Sequence, residues 1–381
     1  MRVAHIIDVK DDLGGGVEQH VFNLAVAQNA RGDNPVVITP QPGVFTEACD
    51  ERGIPVTIEP RLASGDTLFD ASIYAQSRRL TDEATRAREE AREAISRLCS
   101  LFMSSRAEVI HCHTPKAAVN AIAAGNRIEI PCVYTNHILE GFRHDKSASL
   151  EFSAISVCRS AFEHLKKQGF PAEMLYYVPN GSKEVLPLTG GSSRSSLIWV
   201  GRLETVKGPD LAVLAMADLK RRRGSDCPIL NIYGRGSLEG HLKEMVSVLC
   251  LGDRVRFHGL QVGILDRCPA TDILVVSSRH ESGPLVALEA MSRGMPVVST
   301  HVGEIASMIP DQRYGYITLR GSITSLADGI ESMLSDVRAG RFVPDLAILR
   351  HRELFTLEKM AERVDAVYKS MIARASQSTT F

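Results

Sequence analysis

The chain has 381 residues, 44% of them hydrophobic and 23% charged, with a formal net charge of −1. That is the composition of a globular protein long enough for two domains, and it supplies no whole-molecule field to hold a nucleic-acid backbone. No apolar run approaches bilayer-spanning length, and the eight cysteines form no C-x-x-C pair, so neither a zinc site nor a disulfide framework is predicted.

The N-terminal segment MRVAHIIDVKDDLGGG sets Asp8, Asp11 and Asp12 where an export signal needs an apolar stretch. It reads as a first strand, 3–9, and the expected location is cytoplasmic and reducing. A glycine loop and a helix over 18–30 follow. A second strand, 34–39, comes after the turn Arg31-Gly32-Asp33. Further short strands are predicted at 109–112, 132–135 and 153–157. Apolar strands alternating with helices mean βαβ units and a parallel sheet. Between them, apolar residues fall at 80, 84, 87, 91, 94, 98 and 101. These steps of four and three predict a long amphipathic helix over 80–102. Its Arg- and Glu-rich face is read as solvated, with a membrane surface or partner as the alternative.

The stretch LPLTGGSSRSS at 186–196 is rich in Gly and Ser, and the interdomain linker is placed at 189–196. The alternation then restarts, with strand 197–200, helix 209–222, strand 229–233 and helix 238–250. Strands 255–257, 273–277 and 297–299 complete the pattern. Two doubly wound domains are therefore predicted, 1–188 and 197–356. The run Arg221-Arg222-Arg223 ends a helix, where cations suit the dipole; a membrane contact there is the secondary reading.

Four motifs carry candidate chemistry. Gly14-Gly15-Gly16-Val17-Glu18 lies between a strand and a helix, where glycines and free N–H groups suit an anion. The dinucleotide fingerprint would need a third glycine at Gln19, so a turn with no ligand stays open. Arg202 and Lys207 follow a strand on its C-terminal side, where open α/β sheets bind ligands; both suit phosphate. Gly234, Arg235 and Gly236 form a second strand-to-helix turn, able to approach a nucleotide base or to be a bare tight turn. The fourth motif runs Glu281-Ser282-Gly283-Pro284-Leu285-Val286 to Glu289. Pro284 suits a helix's first turn, which leaves the N–H groups of Leu285 and Val286 for a phosphate and Glu289 for the hydroxyls of a ribose. His111 and His113 alternate on a strand and share a face, as two metal ligands would. No third ligand is visible nearby, so they are expected to shape a cleft between the domains, with no metal bound. His137, taken alone, is a structural histidine by default.

These residues stand in an order that resembles glycosyltransferase family 4. The matching segments are GGGVEQHVFNLA, VIHCHTP, Thr135-Asn136-His137, VPNGS, WVGRLETVKGPDL, IYGRGS, FHGL and ESGPLVALEAMSRGMPVVST. The resemblance implies the GT-B fold, an α/β architecture of two Rossmann-like doubly wound domains facing a central cleft. The segment 357–372 is similar to the family's last helix, so about 357–381 should cross back to complete the N-terminal domain. It implies a retaining transfer from a nucleotide-diphosphate sugar, UDP by family habit, to a glycan, lipid-linked or small-molecule acceptor. By the same resemblance Gly15 and Gly16 would lie over the donor diphosphate, and Arg202 and Lys207 would neutralise it. Glu281 would hold sugar hydroxyls, Glu289 the ribose, and His137 would sit beside the anomeric centre. Gly283 departs from the family, which carries a bulkier residue there. Arg202, Lys207 and helix amides could together replace a metal ion, so no cofactor is expected. An epimerase of the same fold would need an acid/base set that is not identifiable. A non-catalytic binding protein would have no reason to keep Arg202, Lys207, Glu281 and Glu289 together.

Overall fold

The computed structural model describes residues 1–8, 15–63, 82–137, 150–185 and 195–378; of 82–88 it describes the helical backbone only. The chain divides into two compact units, Met1–Pro179 with Met360–Phe381, and Asn180–Lys359. The predicted linker, 189–196, lies mostly outside the described residues, and the second unit already takes in Asn180.

Among the described residues the first unit holds seven strands: β1 (Arg2–Ile6), β2 (Asn34–Thr39), β3 (Val56–Ile58), β4 (Val109–Cys112), β5 (Cys132–Asn136), β6 (Ser153–Ser156) and β7 (Leu175–Tyr177). They pair in the order β3-β2-β1-β4-β5-β6-β7, every ladder parallel. Every residue of β4, β5 and β6 is buried, as expected where helices cover both faces of a parallel sheet. Ile6, Ile110 and Tyr134 pack on one side with Leu98 and Phe102; Ile7, Val21 and Phe45 pack in a second cluster. The helix Asp82–Ser104 buries Ala91, Ala94 and Leu98, three of the positions its spacing predicts, and packs on the helix Pro115–Arg127. β3 and β7, three residues each, are not among the strands the sequence reading names.

The second unit holds β8 (Leu197–Val200), β9 (Leu230–Tyr233), β10 (Val255–Phe257), β11 (Ile273–Val276), β12 (Val297–Thr300) and β13 (Tyr316–Thr318). Their order is β10-β9-β8-β11-β12-β13, again parallel throughout. Leu197 and Trp199 enter one core and Ile198 the other, the two-residue alternation of a sheet covered on both faces. The arginine run ends the helix Pro209–Arg223 and is taken up in ion pairs: Arg221 and Arg222 with Asp218, Arg222 also with Asp328 and Glu331, and Arg223 with Glu331. The last two partners lie on the helix Ile323–Arg338, which packs alongside, so the run serves helix packing. Among the described residues no helix is long and apolar enough to cross a membrane.

The final helix, Leu357–Ser378, is counted with the first unit from Met360 onward, as the resemblance implied. Its Tyr368 is 1% exposed and lies within hydrogen-bond distance of His111 Nδ1, at 2.6 Å.

Candidate functional site

In the second unit the strand order reverses between β8 and β11, and the candidate residues gather on the loops that leave the ends of these strands. After β8 the chain makes a 3-10 turn at Thr205–Lys207 and passes through Gly208, whose φ of 62° is left-handed. A Cβ on Gly208 would lie 2.2 Å from the Ser277 carbonyl oxygen, so only glycine lets this loop rest against the end of β11. Trp199 Nε1 donates to Ser277 Oγ at 2.9 Å, and Ser277 Oγ donates to the Gly208 carbonyl at 2.6 Å. Arg279 closes the other side with two bonds to the Asp210 carboxylate, at 2.7 and 2.6 Å. Lys207 is thereby held where its Nζ lies 2.6 Å from Glu281 Oε1, which also accepts from Ser278 Oγ at 2.9 Å. Two residues singled out in separate motifs thus form one ion pair.

Glu281 is fixed from behind. A Cβ on Gly303 would meet the Ser282 and Glu281 carbonyl oxygens at 2.2 and 2.5 Å, and Glu304 N–H donates to Ser282 O at 2.7 Å. Asn180 Nδ2 donates to the Gly283 carbonyl at 3.1 Å. The helix then begins at Leu285, with Pro284 as its extended N-cap residue rather than in its first turn. The ring brings no donor or acceptor side chain to this end, and no side-chain cap bond closes it. Further along the helix, Glu289 is partly buried, and burial pushes its carboxyl up to about 7. The Asp266 charge raises it further, while Lys183 opposes. Asp266 in turn accepts from the fully buried Arg293 at 3.2 Å.

Arg202 is exposed, and none of the ion pairs among the described residues uses it. Gly234 and Gly236 have a structural reason of their own. A Cβ on Gly234 would stand 1.8 Å from Gly201 O, and one on Gly236 2.5 Å from Leu203 O. Leu203 N–H donates to Arg235 O at 2.9 Å. The two strand-to-helix loops lie backbone against backbone, which is a steric reason for both glycines.

The first unit gathers the other candidates. Gly15 is the N-cap residue of the helix Gly16–Ala30 and brings no capping side chain. The Glu18 carboxylate lies against this end, so close that a Cβ on Gly15 would be 1.9 Å from its Oε2. Here too the order reverses, between β1 and β4, and the register pairs His5 with His111. His5, His20, His111 and His113 are all at most 3% exposed, and His137 is partly buried at the end of β5. His111 and His113 do share a face, their rings 4.0 Å apart, and both are buried. The neighbours that sequence spacing could not show are His5, His20 and His137, brought in from β1, the first helix and β5. Burial holds His111, His113 and His137 well below the ordinary imidazole range and His5 down to about 4. Sequence reasoning gave no role to Ser278, Gly208 or Asn180; Gly208, inside WVGRLETVKGPDL, and Asn180, inside VPNGS, stood in matching segments, and Ser278 did not.

A family model for Glycosyltransferase Family 4 matches residues 14–182, and one for Glycosyl transferases group 1 matches 192–341. The chain is 24% identical to a component of the phosphatidylinositol N-acetylglucosaminyltransferase of Homo sapiens, over 95% of this chain and 74% of that protein. It is 31% identical to the D-inositol 3-phosphate glycosyltransferase of Salinispora tropica, over 46% of this chain; the match spans 38% of that protein's length. Its fold superposes on the crystal structure of Anabaena Alr3699/HepE in complex with UDP-glucose, with a TM-score of 0.75 and 18% identity, covering 97% of this chain and all of the other.

Proposed function

The chain belongs to glycosyltransferase family 4 and has the GT-B fold, and from that premise we propose that it transfers a sugar, with retention of anomeric configuration and without a metal, from a nucleotide diphosphate to an acceptor hydroxyl. The observation that carries the reading is the Lys207–Glu281 pair at the reversal point of the second sheet, beside a helix end with no side-chain cap. Transfer needs charge compensation as the diphosphate departs, and a cation with helix amides can supply it. Lys207 and Arg202 take the phosphates in this proposal, Glu281 the sugar hydroxyls and Glu289 the ribose. Gly15 and Gly16 at the first helix end and His137, toward the transferred sugar, belong to the same proposal.

UDP is the proposed nucleotide, supported by the UDP-glucose complex of the Anabaena protein. A lipid-linked or small-molecule acceptor is supported by the relatives named for phosphatidylinositol and inositol phosphate. A cytoplasmic site of action, with peripheral membrane contact for a lipid-linked acceptor, goes with it. The test is a panel of UDP-, GDP- and ADP-sugars read by thermal shift, then by nucleotide release with and without acceptor. UDP-sugars should raise the melting temperature by linkage, and NMR of the product should show the donor's anomeric configuration retained. No shift and no nucleotide release with any of the panel would overturn the proposal.

A further inference from the structure

Among the described residues, histidines of the first unit form two sets of three whose ligand atoms lie within 4.8 Å of one another: His5, His111 and His113, and His20, His113 and His137. The inner set is spoken for. His5 Nε2 meets Gln28 Oε1 at 2.7 Å and its Nδ1 meets His113 Nε2 at 3.0 Å. His111 is held through both nitrogens, by Tyr368 OH and by Thr135 Oγ1, each at 2.6 Å. The donor order follows from Gln28. Its amide oxygen accepts, so His5 carries its proton on Nε2 and accepts at Nδ1 from His113 Nε2–H. His113 is left with its Nδ1 lone pair directed at the outer set.

The outer set is differently placed. His113 Nδ1 and His137 Nε2 stand 3.4 Å apart, long for an N–H···N bond. A tetrahedral ion with nitrogens about 2.0–2.1 Å away holds them about 3.4 Å apart. The His20 ring lies 4.6 Å from that of His137 and 5.6 Å from that of His113. His137 is the partly exposed member and gives the approach from solvent. Behind His113, the His5–Gln28 chain orients the ligand and fixes its tautomer, as the outer partner of a metal-bound histidine does. We propose that His20, His113 and His137 form a binding site for one divalent transition-metal ion of the zinc and cobalt class.

The all-imidazole donor set selects such borderline ions over magnesium or calcium. On the reading of His137 as a residue of the transfer site, an ion held by its Nε2 withdraws it from the sugar, so the metal inhibits rather than assists.

The experiment takes the full chain, stripped with chelator, and titrates it with zinc chloride by calorimetry and with cobalt chloride by visible absorption. One equivalent should bind, and the cobalt spectrum should be that of a tetrahedral ion. X-ray absorption on the one-to-one zinc protein should count three imidazoles, a result that needs no variant. His20→Asn, checked for folding by circular dichroism, should lose the site. His5→Asn, one step behind the ligands, should weaken it by about 10–100-fold. Cys250→Ser, which removes the exposed cysteine, should leave the stoichiometry unchanged. No binding to the wild-type chain, sulfur among the ligands, or full binding by folded His20→Asn would overturn the site. Binding without inhibition of transfer would keep the site and remove His137 from the reaction, so the two readings fail separately.

Discussion

The two sheets reverse their strand order at equivalent places, β1 beside β4 and β8 beside β11, and fill those places in opposite ways. At β1 and β4 the side chains are buried, so the groups gathered there are ones that can be neutral near pH 7: imidazoles, a glutamine, a tyrosine hydroxyl. At β8 and β11 the loops remain partly open, so a lysine and a glutamate can keep their charges and face each other. A parallel sheet converges side chains at its reversal point by geometry alone. How deeply that point is buried then decides whether it works with neutral nitrogen or with ions.

The largest effect expected on this comparison comes from the charged side. Arg202→Ala and Lys207→Ala should each lower kcat by on the order of 10²–10³, like loss of one oxyanion donor, with a smaller fall in donor affinity. Steady-state kinetics on variants shown to be folded would decide it; a change in KM alone would make both residues binders only. Next, Glu289→Gln should weaken donor binding by about 1.5–3 kcal/mol, measured by calorimetry at pH 8. Because the Glu289 carboxyl sits at about 7, it is ionised above that pH and protonated below it. Wild-type donor affinity should therefore fall between pH 8 and pH 6, while the Gln variant stays flat. Stability runs the other way: a carboxyl raised from 4.5 favours the folded state below pH 4.5 and loses that contribution as pH rises through 7. Glu289→Gln should thus gain stability over wild type at pH 8 and not below pH 4.5, read by urea denaturation.

Smaller still, and confined to the neutral side, is Tyr368→Phe. It strips a partner from His111 and Gln28 and should cost roughly 1–2 kcal/mol. Trp199, the chain's one tryptophan, belongs to the second unit. The loss should appear by circular dichroism, and a shift seen by Trp199 fluorescence alone would contradict it. Finally, EDTA should leave transfer undiminished; activity lost in chelator and restored by magnesium would break the proposed use of Lys207 and Arg202.

Much of the second unit was legible. Strands 197–200 and 255–257 fall where their apolar runs put them, and the helix from Pro209 begins at its proline. Glu281 and Lys207 were each visible from the glycine turns around them, but their pairing was not. It depends on Gly208 lying against the Ser277 backbone, a contact between residues 69 apart that no local pattern encodes. The histidines were harder. Two of them alternate on one strand and show themselves; the rest arrive from elsewhere in the sequence, assembled by the β1–β4 register and by the helix that follows β1. The resting place of an arginine run likewise depends on neighbours remote in sequence.

The last helix bears on the order in which this protein can be made. Tyr368, the hydroxyl partner of a histidine on β4, is synthesised 257 residues after it. A ribosome therefore releases the whole second unit before the first can close its interior. Until then His111 lacks its Tyr368 partner and keeps its bond to Thr135. The first unit is begun before the second and finished after it. A nascent chain halted at Pro179 should refold less stably than the same strands in the released protein.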